Sequence, residues 1–170
     1  MPRLDPAAYR GRVLVHWTMT LEGRATGWLS ARWFEGFRGL LVTTAAKYEV
    51  AVVAGVVMPD HLHLLVAGWR DSSDQRLFVR ALRRSVGASL PPPVTLQKQA
   101  YDHVLRPAEA GRDAVASLAY YIAENPVRKG LVERAQDWPY TFAEVTGESG
   151  LRPDEADFCE RWWRRWNGGR

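Results

Sequence analysis

The chain has 170 residues, 46% of them hydrophobic and 25% charged, which is the balance of an ordinary globular domain. Its single cysteine excludes an internal disulfide, and its longest apolar run, residues 50–58, is far shorter than the roughly 20 residues of a membrane-spanning helix. The first residues lack the apolar segment of a signal peptide, so we expect a cytoplasmic protein without a membrane partner. The net charge of +4 favours a polyanionic partner, and nucleic acid is the leading class.

The first part of the chain predicts a strand, a helix and a hairpin. Residues 9–20 alternate between apolar and polar side chains, as on a strand with one buried face. Residues 28–47 carry apolar side chains at helical spacing, and Thr26 is placed to cap that helix. Residues 50–58 and 61–67 are rich in valine and leucine, and the short turn between them predicts a hairpin of two strands.

A second helix is predicted after Ser72, because Ser72 and Gln75 have the spacing of a capping box. Its apolar face comprises Leu77, Phe78, Ala81, Leu82 and Val86. Four arginines lie on the opposite side: Arg76, Arg80, Arg83 and Arg84. A solvated helix face and a row of contacts to nucleic-acid phosphates explain these arginines equally well.

The next elements are a loop, a short strand and a third helix. The three prolines at 91–93 predict a rigid loop, and residues 95–106 contain a short strand or extended segment. A helix is predicted from Asp113, a good N-cap residue, to Asn125. Pro126 ends it, since the residue before a proline avoids helical geometry.

The end of the chain predicts a packed loop and a terminal helix. Residues 138–140 are expected to form a packed surface loop, and residues 157–166 a helix with an aromatic stripe of Phe158, Trp162 and Trp166. Packing of that stripe is the preferred interpretation, and DNA contact by Arg161, Arg164 and Arg165 is the second. We divide the chain into a domain of residues 1–150 and a basic, tryptophan-rich helix or tail of residues 151–170.

These elements predict an α+β fold with an antiparallel sheet and helices packed on one face. The strands intermingle with helices along the chain, and the two central strands are joined by a hairpin. The other face of the sheet would then be free to bind a ligand.

The tripeptide His61-Leu62-His63 lies on one of the predicted central strands. Side chains alternate between the faces of a strand, so His61 and His63 project together while Leu62 points into the core. Two imidazoles on one face can share a divalent metal ion. The alternative is a pair of surface or hydrogen-bonded histidines without a ligand.

On the third helix, Tyr121 and Asn125 are four residues apart and so share a face. The amide oxygen of Asn125 suits a hard cation such as Mg²⁺ or Mn²⁺. The alternatives are that Tyr121 packs, that Tyr120 is the outward-facing tyrosine, and that Asn125 only stops the helix.

A resemblance to a known family rests on four segments in the right order over roughly residues 9–142. The run VVMPDHLHLLV at 56–66 resembles the HUH segment of single-tyrosine transposases, and YIAENPVRKGLV at 121–132 resembles the catalytic-helix motif of the REP-associated tyrosine transposases (RAYT). YDHVLR at 101–106 and WPY at 138–140 match further segments of that family. Asp60 stands where the family usually has Asn.

The resemblance implies a ferredoxin-like fold and a transposase that acts in DNA transposition and recombination as a single-strand endonuclease and strand-transferase. Tyr121 would be the nucleophile and form a 5′-phosphotyrosine intermediate. His61, His63 and Asn125 would hold Mg²⁺ or Mn²⁺.

The implied substrate is single-stranded DNA beside a folded hairpin. Arg106, Arg128 and Lys129 are predicted phosphate contacts, together with the arginines of the second helix. His103 is a candidate base for Tyr121, although a structural histidine is the preferred interpretation.

Both a monomer and a homodimer are compatible with the sequence. Two alternative functions remain compatible with the sequence: a regulatory protein that binds hairpin DNA without cleavage, and a metal-dependent phosphoesterase that uses water.

Overall fold

The computed structural model describes residues 4–168 as a five-stranded sheet with helices on both sides. The main elements in chain order are β1 (Leu14–Thr20), α1 (Ala31–Lys47), β2 (Val50–Val57), β3 (His61–Gly68), α2 (Gln75–Ser89), β4 (Tyr101–Val104), α3 (Arg112–Ala123), α4 (Asn125–Arg128), β5 (Thr141–Glu144) and α5 (Phe158–Gly168). No helix within this range is long and apolar enough to cross a membrane.

The sheet is antiparallel throughout, with the strand order β4-β1-β3-β2-β5. The segment from β1 to β4 follows the order strand, helix, strand, strand, helix, strand, which is the ferredoxin-like arrangement. β5 adds a further strand beside β2. The predicted α+β class and antiparallel sheet are therefore confirmed, and the β2–β3 hairpin lies at the centre, as expected.

Each face of the sheet packs against its own pair of helices. Trp17 and Leu64 lie on what we call the first face, where they share a hydrophobic cluster with residues of α1 and α2. Leu65 lies on the second face, in a cluster with Ile122 of α3 and Trp162 of α5. The structure thus differs from the prediction of helices on one face only.

The reason for the second helical layer lies in β2. All eight residues of β2 are buried, so neither of its faces can be left to solvent. An unbroken apolar run is the pattern of a strand that is covered on both sides. The uncovered part of the second face is instead at the other edge of the sheet, where β4 is mostly exposed.

Three predicted helix starts are wrong by a few residues. α1 begins after Ser30, whose side chain accepts a hydrogen bond from the amide of Trp33, and not at a cap by Thr26. α2 begins after Asp74, which accepts from the amide of Leu77. Ser72 is used elsewhere, because its hydroxyl donates to Glu49. The cap of α3 is Gly111 in place of Asp113.

Residues 138–140 pack as expected, but the strand after them was not predicted. The Trp138 indole donates to the carbonyl of Val57 at 2.9 Å, and the amide of Val57 donates to the carbonyl of Tyr140 at 3.0 Å. The chain then continues along β2 as β5. With four residues, β5 is too short to show the period of a strand in the sequence.

The terminal helix α5 packs its aromatic stripe into the second-face core. Phe158 and Trp162 are 2% and 1% exposed, and Trp162 stacks on Trp166. The arginines of α5 have partners within the chain: Arg161 pairs with Glu148, and Arg164 with Glu160. These contacts favour packing over DNA contact as the role of the helix.

Gly68, at the end of β3, has no space for a side chain. A methyl group at this position would lie 2.0 Å from the carbonyl oxygen of Gly11. We expect Gly68→Ala to lower the free energy of unfolding by about 2 kcal/mol or more, since backbone must move to admit the atom. Gly36→Ala is the control, because Gly36 lies in α1 with nothing near its missing side chain. Urea denaturation should show Gly36→Ala to be stabilising by about 0.4–1 kcal/mol, and equal stability of the two variants would contradict the packing at Gly68.

Candidate active site

His61 and His63 project together from the second face of the sheet, as the alternation along β3 predicts. Their Nε2 atoms are 3.1 Å apart, and the two rings are nearly perpendicular. His61 is buried, with 7% of its surface exposed, and His63 is partly buried. The two imidazole nitrogens therefore meet at one point at the start of β3.

The other ring nitrogen of His61 is held by a carboxylate. Nδ1 lies 2.6 Å from Oδ1 of Asp60, and the second oxygen of Asp60 accepts from Arg24 at 3.0 Å. Hydrogen bonds from His61 and Arg24 lower the pKa of Asp60 against the opposing effect of its partial burial. An ionised carboxylate on Nδ1 keeps the proton on that atom and leaves the lone pair on Nε2.

His63 has an equivalent set of partners on β1. Its Nδ1 lies 3.0 Å from the Thr18 hydroxyl and 3.2 Å from Nε2 of His16. Burial, with a smaller contribution from the neighbouring His61, lowers the pKa of His63 to about 3, and burial lowers that of His16 to about 4. Both rings are thus neutral at pH 7. A neutral His63 with its proton on Nδ1 also directs a lone pair from Nε2.

The donor set suits a divalent cation. Two ligands at about 2.1 Å from one ion and at right angles to each other are about 3.0 Å apart, which agrees with the observed 3.1 Å between the Nε2 atoms. Nδ1 of each ring has a partner that orients it, as in metal-binding histidines. Within residues 4–168 no group of three or more His, Cys, Asp and Glu side chains is arranged to hold a metal.

Tyr121 is on a helix that covers the same face of the sheet as the histidines. α3 packs through Val115, Ala119 and Ile122 against the second face, mainly over β2. Tyr121 is 42% exposed, and the guanidinium of Arg128 lies 4.6 Å from the centre of its ring. Tyr121 is therefore available to a ligand and has a cation beside it. Tyr120 is also exposed, at 55%.

Asn125 is buried at the break between α3 and α4. Its amide nitrogen donates to the carbonyls of Tyr121 and Ile122 at 3.0 and 3.1 Å. These bonds tie Asn125 to the last turn of α3 and leave its oxygen as the remaining polar atom. The third helix ends at Ala123, two residues earlier than predicted, and Asn125 and Pro126 begin α4 instead of stopping it. This position does not exclude a role for the Asn125 oxygen as a ligand. No hydrogen bond joins Asn125 to either histidine in the described part of the chain.

The predicted DNA-binding residues lie in two places. Arg76, Arg80 and Arg84 are exposed on α2, which packs on the first face, opposite the histidines. Arg83 is partly buried and donates to the carbonyl of Gln97, so it holds a loop. The second group, all exposed, comprises Arg106, Arg128 and Lys129.

The sequence did not predict three features of the site: His16, Thr18 and the contact of Asp60 with His61. The alternation on β1 carried the signal: if Val15 and Trp17 face one core, His16 and Thr18 face the other side. His103 lies opposite His16 on β4, but its ring is hydrogen-bonded to Glu109 at 3.2 Å. That contact favours the structural interpretation of His103.

No family model matches the chain. A Haemophilus influenzae protein named "Putative REP-associated tyrosine transposase" is 25% identical over 156 residues, which cover 84% of this chain and 86% of that protein. The solved structure of a REP-associated tyrosine transposase bound to a REP hairpin has a TM-score of 0.69 and 20% identity, and it covers 83% of this chain and 81% of its own. A structure described as a putative transposase from Deinococcus radiodurans has a TM-score of 0.47 and 20% identity, covering 72% of this chain and 95% of its own. The first of these supports the resemblance described from the sequence, and the second confirms the predicted fold.

Proposed function

We infer that this chain is a REP-associated tyrosine transposase, and we propose that it cuts and rejoins single-stranded DNA beside a hairpin. The similarity to the Haemophilus influenzae protein supports the family, and it extends over most of both chains. The observation that carries the chemistry is the pair of Nε2 atoms, 3.1 Å apart and each oriented through its Nδ1. This pair lies on the face of the sheet that α3 covers.

Tyr121 is the proposed nucleophile. Its phenolic oxygen attacks the scissile phosphorus and forms a phosphotyrosine bond to the 5′ side of the break. The phenol loses its proton and the bond from phosphorus to the 3′ oxygen breaks. That oxygen takes up one proton and leaves as a 3′-hydroxyl, so that atoms and charge balance. Because the phosphoester bond is conserved in the covalent intermediate, another 3′-hydroxyl can attack it and rejoin a strand, with Tyr121 released.

His61, His63 and Asn125 are the residues that would hold Mg²⁺ or Mn²⁺. When bound, such an ion supplies Lewis-acid stabilisation of the charge on the phosphate oxygens. The role of the chain is to orient these ligands: Asp60 fixes the ring of His61, and Thr18 fixes that of His63.

The cationic side chains near α3 are the proposed contacts to the cleaved strand. Arg128 lies against the ring of Tyr121 and can pair with the phosphate that Tyr121 attacks. Lys129 follows it directly, and Arg106 is exposed after β4. Arg76, Arg80 and Arg84 of α2 are on the other side of the sheet, so we assign these three to the hairpin stem, which must extend beyond the cleavage site. The solved relative is likewise bound to a hairpin.

Cleavage of a labelled hairpin oligonucleotide with single-stranded flanks tests this proposal. We expect nicking in the presence of Mg²⁺ or Mn²⁺, none with chelator, and a protein–DNA adduct that survives denaturing electrophoresis. Binding without cleavage under all conditions would favour the regulatory hairpin-binding protein. Cleavage without an adduct would favour the phosphoesterase that uses water.

A further inference from the structure

We propose that Tyr101 and the cavity beside it bind an unpaired base next to the scissile phosphate. The proposal rests on the function argued above, because it places the phosphate at His61 and His63. It assigns to Tyr101 a role in substrate binding and to the end of β4 a base-binding subsite.

The pairing of the strands puts Tyr101 and His63 in one row across the second face. Thr18 of β1 is paired with His63 of β3 on one side and with Tyr101 of β4 on the other. Directly paired residues of antiparallel strands project to the same face. The Thr18 hydroxyl, 3.0 Å from Nδ1 of His63, shows which face that is. Since neighbouring strands are about 4.8 Å apart, the backbones of Tyr101 and His63 are separated by about 10 Å.

The ring of Tyr101 is presented to solvent on a strand that is itself held in place. Tyr101 is 69% exposed, the largest exposed fraction among the large apolar and aromatic side chains of residues 4–168. The next residue, Asp102, faces the opposite side of the sheet and accepts a hydrogen bond from the Tyr9 hydroxyl at 2.5 Å. An exposed aromatic ring on an anchored strand is a platform on which a base can stack.

A cavity of about 340 Å³ adjoins this ring, lined by Glu22, Gln97, Lys98, Gln99, Ala100 and Tyr101. Its size is at the lower end of the range for small-molecule sites. The loop that forms it is pinned to the end of β1, since the amide of Gln97 donates to Thr20 and that of Glu22 donates to Thr95, both at 2.8 Å. The cavity is therefore part of the folded sheet edge.

The lining has the chemistry of a base site. Amide side chains such as Gln97 and Gln99 pair with the edge of a base, a carboxylate such as Glu22 accepts from exocyclic amino groups, and Lys98 suits a phosphate. An aromatic face with these groups beside it matches a nucleotide better than an apolar ligand. Tyr101 would stack on the base, and the cavity would receive its polar edge.

The test compares two DNA hairpins that differ only in a single-stranded flank. Binding of each is measured by fluorescence anisotropy in chelator, so that no cleavage occurs. We expect Tyr101→Ala to weaken binding of the flanked hairpin about ten-fold, which is the effect of losing one stacked base. Binding of the blunt hairpin should not change, and Tyr101→Phe, which keeps the aromatic face, should bind both like the parent. A 2-aminopurine in the flank should lose its quenching in Tyr101→Ala.

Equal affinity of the parent and Tyr101→Ala for the flanked hairpin would overturn the inference, as would an equal loss with both hairpins. Thermal unfolding of the variants shows whether the fold is intact, and an exposed side chain should be replaceable without loss. The outcome is separable from that of the proposed function. Flank-dependent binding without cleavage would contradict only the proposed cleavage reaction. Cleavage that does not change when Tyr101 is replaced would contradict only the proposed base-binding site.

Discussion

Replacing Tyr121 by phenylalanine is expected to abolish the covalent adduct with DNA and to lower the cleavage rate by at least about three orders of magnitude. The variant removes one oxygen atom, and that atom is the one that attacks phosphorus in the proposed reaction. Since Tyr121 is 42% exposed, its hydroxyl has little role in the core, and the fold should be retained. The measurements are adduct formation on a denaturing gel and single-turnover cleavage of a labelled hairpin.

Tyr120→Phe is the matched control for this experiment. Tyr120 is adjacent on α3 and similarly exposed. Its replacement therefore removes the same oxygen atom and changes the helix propensity by the same amount. We expect it to form the adduct at the rate of the parent. The reverse pattern, with the adduct lost in Tyr120→Phe, would move the nucleophile by one residue. Adduct formation in both variants would exclude both tyrosines.

The histidine pair shows how much of the site the sequence could predict. Alternation on a strand requires only local geometry, so His61 and His63 were expected on one face, and their Nε2 atoms do meet. The same reasoning applied to β1 would have found His16 and Thr18. The contact of Asp60 with His61 was predictable as well, because Asp60 directly precedes His61 in the bend between β2 and β3.

The approach of Tyr121 to the histidines is a different kind of prediction. It depends on how α3 packs after a long separation in sequence, and no local period encodes that. The structure places α3 on the histidine face through Ile122 and its neighbours. The adduct assay with Tyr121→Phe tests whether the Tyr121 hydroxyl reaches the phosphate that the histidines are proposed to bind.

Helix starts and sheet coverage were the weaker predictions, for identifiable reasons. Ser72 and Thr26 have the side chains of caps, but nearby Asp74 and Ser30 compete for the same role. Which of two good cap residues is used depends on tertiary contacts, such as that of Ser72 with Glu49. The second helical layer could have been predicted, because residues 50–57 carry no polar side chain on either face of the strand.

Loss of either histidine is expected to remove the proposed divalent metal site. We expect His61→Ala and His63→Ala to weaken Mn²⁺ binding by about 100-fold or more, because each supplies one of two nitrogen ligands. Asp60→Asn should weaken it by about ten-fold, the effect of losing a carboxylate that orients a ligand. Free Mn²⁺ can be measured by electron paramagnetic resonance with and without protein, so the result does not depend on cleavage.

His103→Ala provides the control for the loss of an imidazole from the same face. His103 is bonded to Glu109 and exposed, so its removal should leave Mn²⁺ affinity unchanged. The order of effects is the informative result: the two ligands first, Asp60 next, His103 last. If His61→Ala and His63→Ala bound Mn²⁺ like the parent, the 3.1 Å approach of the two nitrogens would be a hydrogen bond between neutral rings. Cleavage would then have to rely on Arg128, beside Tyr121, to balance the charge on the phosphate.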